Sequence, residues 1–506
     1  MTIQARASVA FALSMAVAIG ACSTPMAPPS SAPDAAVDTG TPPLETLSWQ
    51  PCESEASSSA ASQECTTMLR PTGPAPSDAT PISIAIRRWR PTSARAALVM
   101  VNGGPGLSSR SFEFAAARLA DRGIAVHLVD LRGTGASTKI ECPAALRTPA
   151  SCLDALARNE ALARNLTTTR SAEDLVALAA ALRPTFSRIV LLGQSYGSLV
   201  GQRVAQLAPT AFDGLLLDGP FDPVAATVSD LDFVAARTVE GVLDACAARP
   251  RCASRFEQAP RESLRSTLAR MDGGHCARLA AIVGAPGRAA LQRLLGLFVG
   301  MVGAPSYVPA IVSRAARCSE ADVQALGAAF RSVVGAGAGL EQEPLTALHI
   351  IRSELWPDPA AVQTLRAGLA DASAQRGILD TFGRELPAQW PLAARDELHG
   401  RDASSAPETL LLVGEFDAST PASGAARVAR ALGGELVVVP GAVHGLAVPL
   451  LTIEPRVPHP CIESLVRAFV LREPRDTRCI DAVAPLDFDG TPEGAASFFR
   501  TTNAWD

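Results

Sequence analysis

Lysine is almost missing from this chain. Lys139 is the single one among 506 residues, so arginine supplies nearly all the positive charge. We read this as compositional bias, because most arginines are scattered singly, as on solvated faces. No long basic run occurs and the formal net charge is -5, which argues against nucleic acid as the main partner. No C-x-x-C pair is present and the histidines are not spaced as ligands, so neither a metal site nor any metal or organic cofactor is expected. Neither a Walker pattern nor G-x-G-x-x-G occurs, which removes the usual phosphate-cradling loops. Past the amino-terminal segment no run of about 20 apolar residues exists, so no membrane-spanning helix is expected. No solenoid-type repeat is visible.

The amino terminus reads as an export signal. Arg6 gives a short positive region, and residues 9–19 (VAFALSMAVAI) are apolar but too short for a stable membrane anchor. Ile19-Gly20-Ala21-Cys22-Ser23 resembles a bacterial lipobox, with Cys22 as the lipidated residue. The alternative is an ordinary cleavage site beside an uninvolved cysteine. Residues 1–22 are thus expected to be a signal peptide with lipobox. Residues 23–47, rich in Pro, Ala, Ser and Thr, are expected to be a flexible linker. The chain is expected to be exported, as a cell-envelope lipoprotein facing the periplasm or the cell surface or as a secreted protein. Membrane contact is expected only through the lipid.

Export implies an oxidising compartment, where disulfides form. Ten cysteines remain after Cys22, and in sequence order they fall into close neighbours: Cys52 with Cys65, Cys142 with Cys152, Cys246 with Cys252, Cys276 with Cys318, and Cys461 with Cys479. Neighbour pairing is the expectation, although spacing alone does not dictate connectivity.

Short apolar runs bounded by Gly or Asp recur at residues 97–101, 124–129, 188–192 and 214–217, after an alternating run at 82–86. Such runs suit strands buried on both faces of a parallel sheet. Helical patterns lie between them, as at 171–182, which opens with Ser171 as a cap followed by acidic residues. Strand alternating with helix predicts a doubly wound α/β sheet. From 221 to 401 the runs give way to Ala/Leu/Arg segments of helical period, then return at 409–413 and 435–439. We expect a sheet domain in two parts, 48–220 and 402–506, split by a mainly helical cap, 221–401.

Gly193-Gln194-Ser195-Tyr196-Gly197 fits G-x-S-x-G. About 0.2 chance matches are expected at average composition, so its setting matters more. It follows a buried run and precedes a good helix. A tight strand-to-helix turn there would lift the Ser195 hydroxyl to the sheet edge, with flanking glycines permitting the turn. A serine hydroxyl needs a base. His444, in the loop after run 435–439, is expected as general base, and Asp417, after run 409–413, as the acid orienting it. Glu415 and His459 are the rival acid and base. The tetrahedral intermediate needs two N–H donors. Tyr196 is expected to give one and Gly104, in Gly103-Gly104-Pro105-Gly106, the other.

These motifs together resemble the α/β-hydrolase serine exopeptidases related to proline iminopeptidase and the secreted tripeptidyl aminopeptidases. The early Gly-rich loop, Asp130-Leu131-Arg132-Gly133-Thr134-Gly135-Ala136-Ser137 and the Gly193–Gly197 elbow are similar to that group's elements. Trp49-x-x-Cys52, Glu64-Cys65 and the Cys461 to Cys479 region resemble the ends of its secreted tripeptidyl-type (TAP-like) members. The likeness runs from Trp49 onward and is loosest in the cap. Asn102 departs from it, standing where iminopeptidases usually carry His. The resemblance implies an α/β-hydrolase fold with an inserted helical cap, and an aminopeptidase or tripeptidyl aminopeptidase working on short peptides through an acyl-enzyme. It also implies an acidic cap residue for the substrate's amino group. Glu354 is the nearest candidate, with a surface helical glutamate as the alternative. An esterase or amidase of small acyl substrates with the same triad, and a non-catalytic envelope binding lipoprotein, are the rival functions. Oligomeric state stays open.

Overall fold

A computed structural model describes residues 47–52, 62–78, 80–301, 304–337, 341–357, 359–446 and 460–506. The export signal, Cys22, nearly all of the linker and His459 lie outside the described residues. Among the described residues one sheet runs in the order β1-β2-β3-β5-β4-β6-β7-β8-β9. Its antiparallel end consists of β1 (Gln50–Pro51), β2 (Ser62–Pro71) and β3 (Pro81–Arg90). Its parallel part consists of β4 (Ala96–Val101), β5 (Ile124–Val129), β6 (Ile189–Gln194), β7 (Gly214–Asp218), β8 (Glu408–Gly414) and β9 (Glu435–Val439).

The apolar runs are continuous because both faces are covered. From β4, Ala97, Val99 and Val101 point to one face, under the helices Thr168–Leu182 and Tyr196–Leu207. Leu98 and Met100 point to the other, under Glu113–Ala120 and Pro460–Leu471. Each large aliphatic side chain buried this way contributes roughly 1.5–3 kcal/mol. β2 went unread in the sequence for a physical reason: it is solvated, and Met68 is its one buried residue, so it lacks an apolar period. The helix expected to open at Ser171 begins at Thr168, capped by the Thr167 hydroxyl, which accepts from Arg170 N–H at 3.2 Å. Ser171 lies inside it, buried.

Between β7 and β8 the chain is helical, as expected, but it divides. Helices from Leu231–Ala247 to Glu320–Gly337 enclose a second core, which Phe416, Ala418 and Val443 from the loops after β8 and β9 also join. Leu345, Leu348, Leu355 and Trp356, further on, pack onto the sheet's first face instead. The expected boundary at 402–506 also needs correction. Leu486, Phe488, Phe498, Phe499 and Trp505 belong to the cap's core. Arg314 fixes them: Nε donates to Ala504 O at 2.7 Å, Nη2 to Asp506 O at 2.6 Å, and Nη1 pairs with Asp322 at 3.1 Å. The error has a simple cause. Helix Pro492–Phe499 looks alike in sequence whichever core it joins.

Five disulfides join the cysteines as sequence neighbours: Cys52–Cys65, Cys142–Cys152, Cys246–Cys252, Cys276–Cys318 and Cys461–Cys479. Among the described residues no helix is long and apolar enough to cross a membrane.

Candidate active site

The parallel strands end in register, with Val101 beside Gly193 and Gln194 beside Asp218. The loops that follow them therefore gather along one sheet edge, where open α/β sheets place their ligand crevice. Ser195 follows β6 with φ 55° and ψ −120°, a left-handed conformation that costs energy for a non-glycine residue. Its N–H donates to Asp218 O at 2.8 Å, which holds the turn against the next strand. The flanking glycines are required by space. A Cβ on Gly193 would lie 2.2 Å from Gly197 O, and one on Gly197 would lie 2.7 Å from Val101 O.

Asp417 and His444 come together. His444 Nδ1 lies 2.8 Å from Asp417 Oδ2. The other carboxylate oxygen accepts from Ser419 N–H at 2.8 Å and Thr420 N–H at 2.7 Å, and the Thr420 hydroxyl adds a 2.9 Å bond to Oδ2. Asp417 is thus locked in place with its charge directed at the imidazole. The His444 ring packs so closely on Gly219 that a Cβ there would sit 2.8 Å from Cε1. Leu446 N–H, donating to Asp218 Oδ1 at 2.9 Å, ties the histidine loop to β7. Glu415, the rival acid, is exposed and accepts from Gly441 N–H at 2.8 Å.

Burial disfavours a charged imidazole, but the adjacent Asp417 carboxylate more than offsets it, so His444 titrates above its ordinary 6.5. Burial would likewise raise Asp417, yet His444 and the Thr420 and Ser419 N–H groups hold it below 3.8.

Ser195 and His444 line one cavity of about 350 Å³, together with Gly104 and Tyr196. Among the described residues the Ser195 hydroxyl and the Gly104 and Tyr196 N–H groups have no hydrogen-bond partner. Gly103 N–H, by contrast, is taken by Asn102 Oδ1 at 2.7 Å. Asn102 also donates to Ser108 O and Ser111 Oγ, each at 2.8 Å, and so shapes the Gly-rich loop.

The fold has a counterpart among known proteins. Residues 96–252 match the family described as alpha/beta hydrolase fold. The chain has the α/β-hydrolase fold. Residues 382–479 match the family described as TAP-like protein, a span of this hydrolase that includes Asp417, His444 and the Cys461–Cys479 bridge. Similar solved structures include a proline iminopeptidase from Mycobacterium smegmatis, 17% identical, covering 80% of this chain and 98% of that one, with a TM-score of 0.39. A proline iminopeptidase-related protein from Thermus thermophilus is 18% identical, covering 76% and 91%, with a TM-score of 0.34. A thermophilic esterase from Thermogutta terrifontis is 17% identical, covering 76% and 92%, with a TM-score of 0.33. No curated protein matches the sequence.

One candidate residue, Glu354, sits elsewhere in the hydrolase than its expected role would need. Glu354 is buried, 8% exposed, which sets aside the surface reading. It does not line the Ser195 cavity; it borders a neighbouring pocket of about 150 Å³. Its carboxylate accepts from Thr168 N–H at 3.1 and 3.2 Å and from the Thr168 hydroxyl, at the start of a long helix where negative charge is favoured. Burial raises its pKa above the ordinary carboxylate value. The Asp130–Ser137 element is scaffolding. Asp130 accepts from Ser109 N–H at 2.8 Å and Ala136 N–H at 2.9 Å, and Arg132 grips Asp174 with two bonds of 2.9 Å.

The sequence reading missed Thr420 and Arg376, both on the cavity wall. Asp417-x-x-Thr420 has the spacing of a side-chain-capped turn, a usable signal. Nothing local marks Arg376.

Proposed function

We propose that this chain is an exported serine hydrolase that releases residues from the amino end of short peptides, as an aminopeptidase or tripeptidyl aminopeptidase, through an acyl-enzyme. One observation carries the catalytic part. A serine held in a strained elbow shares a cavity with an imidazole bonded at 2.8 Å to a buried carboxylate. Ser195 attacks the acyl carbonyl while His444 takes its proton and passes it to the leaving group. Gly104 and Tyr196 N–H groups receive the oxyanion, and water activated by His444 releases the acyl group. No serine–histidine hydrogen bond is present among the described residues; it forms on substrate binding. The TAP-like match and the resemblance to exopeptidases support peptides as substrates. Five disulfides support export, and Cys22 supports a lipid anchor.

A second reading, an esterase or amidase of small acyl compounds, is favoured by one observation. Among the described residues no Asp or Glu side chain lines the cavity to receive a free amino group.

Labelling by a fluorophosphonate, lost in Ser195→Ala, tests the nucleophile; labelling that persists in the variant sinks it. Aminoacyl- and tripeptidyl-arylamides assayed beside acyl esters separate the two readings. Turnover of esters alone rejects the peptidase.

A further inference from the structure

One cation on the Ser195 cavity wall has no counter-ion. Arg376 reaches the wall from the cap, just ahead of the helix Ile378–Phe382. Its Nη1 donates to Ser419 Oγ at 2.9 Å and to Ala418 O at 3.4 Å. Among the described residues its Nε and Nη2 donate to no group, and it forms no ion pair.

The two carboxylates whose fields reach it are already saturated. Asp232 is fully buried and accepts from the N–H groups of Arg376 at 2.5 Å, Gly377 at 2.9 Å, Ile378 at 3.4 Å and Leu379 at 3.1 Å. Asp417 is filled by Ser419, Thr420 and His444. Two arginines buried more deeply than half-buried Arg376 have counter-ions: Arg132 pairs with Asp174 and Arg314 with Asp322. A half-buried cation with no ion-pair partner among the described residues is poorly compensated, and burial pulls the Arg376 guanidinium below its ordinary range. Much of the remaining wall is apolar, including Leu107, Phe221, Leu231 and Phe382. An ammonium entering this space meets like charge. A carboxylate meets the free edge of a planar fork that suits two parallel N–H···O bonds.

We propose that Arg376 binds a carboxylate of the substrate and so selects anionic acyl compounds over neutral or cationic ones. This rests on the hydrolase reading of the same cavity. The carboxylate lies either on the acyl part or on the departing part, as at the carboxyl end of a short peptide.

The test uses the full chain and two ester pairs that differ in charge. Mono-p-nitrophenyl glutarate against p-nitrophenyl valerate places the charge on the acyl side. The acetyl esters of 4-hydroxybenzoate and 4-hydroxybenzamide place it on the leaving side. In at least one pair kcat/KM is expected to favour the anion by roughly tenfold or more, the scale of a charged hydrogen-bonded contact. That ratio collapses toward one in Arg376→Gln and is partly kept in Arg376→Lys; a merely structural role would lower both members alike. No preference in either pair, or a preference that survives Arg376→Gln, overturns the proposal. Should the Gln variant not fold, an unchanged ratio in Arg376→Lys overturns it. If neither phosphonate labelling nor turnover is found, the hydrolase reading fails by itself. Calorimetric binding of glutarate against glutaramide to Ser195→Ala, with and without Arg376→Gln, then decides: equal affinities reject the role of Arg376, and a glutarate preference that needs Arg376 supports it.

Discussion

The sheet edge brings Ser195 and His444 to the cavity, with Asp417 behind the imidazole, on three loops held by backbone geometry and hydrogen bonds, whereas the cap brings the apolar side chains of Leu231, Ile378 and Phe382, packed on the sheet's first face, and Arg376 on a segment hung from the Asp232 carboxylate. At the edge there is almost no room for change. Gly193, Gly197 and Gly219 each stand where a Cβ would meet another atom at 2.8 Å or less. The cap wall consists of side-chain tips, which a substitution can shorten or reshape without moving the chain. Reactivity and selectivity are thus built from separable parts of the fold, and each part can be disturbed alone.

The sharpest separation comes from Ser195→Ala or His444→Ala. Hydrolysis of any substrate should fall by about 10⁴ or more, with an unchanged thermal midpoint in Ser195→Ala. A large drop in that midpoint would tie the side chains to stability as well. The matching disturbance in the cap is Arg314→Met. It removes the bonds to Ala504, Asn503 and Asp506 and leaves Asp322 with Arg317 as its one cation, beside the Ser319 N–H and hydroxyl. Breaking a buried pair of this kind costs roughly 3–5 kcal/mol, read by thermal unfolding. Phosphonate labelling of Ser195 should persist while KM rises; loss of labelling would show that the regions are not independent.

The disulfides offer a finer contrast within the cap. Cys276–Cys318 spans 42 residues and Cys246–Cys252 spans 6. By loop entropy, Cys276→Ser with Cys318→Ser should cost about 4 kcal/mol and the shorter pair about 2 kcal/mol. Equal losses in denaturant titrations would mean that local packing, not loop length, sets their worth.

The smallest effect is in pH. His444 must be neutral to accept a proton, and its folded pKa is raised, so the acid limb of kcat/KM should have its midpoint above 6.5. Stability runs the other way. The protonated His444–Asp417 pair stabilises the fold fully below 6.5, and that contribution is lost as pH rises through the folded value. Asp417→Asn should move the limb to lower pH as well as slow the reaction. A limb at or below 6.5 in the wild type would remove the argued influence of Asp417.

Much of the sheet was readable because its strands are buried on both faces, which writes them as continuous apolar runs; 124–129 and 435–439 match β5 and β9 end for end. The elbow, Asp417 and His444 were readable because chemistry of this kind sits directly after strands. Neighbour pairing of the cysteines was readable because short loops bring them together. Other features were hidden. Glu354 shows its setting only when Thr168, 186 residues away, is seen bonded to it. The seat of residues 486–506 depends on which apolar surface is left uncovered, and Arg376 on which carboxylates are already engaged. Such properties belong to pairs distant in the chain, and no local pattern encodes them.

The tie between Leu446 and Asp218 spans 228 residues. Drawing together a loop of that length costs about 5 kcal/mol in chain entropy before any contact is made. The segment bearing residue 195 can assemble its own strands early, while the imidazole has to wait for the whole insertion to be looped aside. A half-synthesised molecule therefore holds an alcohol with no proton acceptor. Order of assembly alone would withhold the chemistry until the chain is whole.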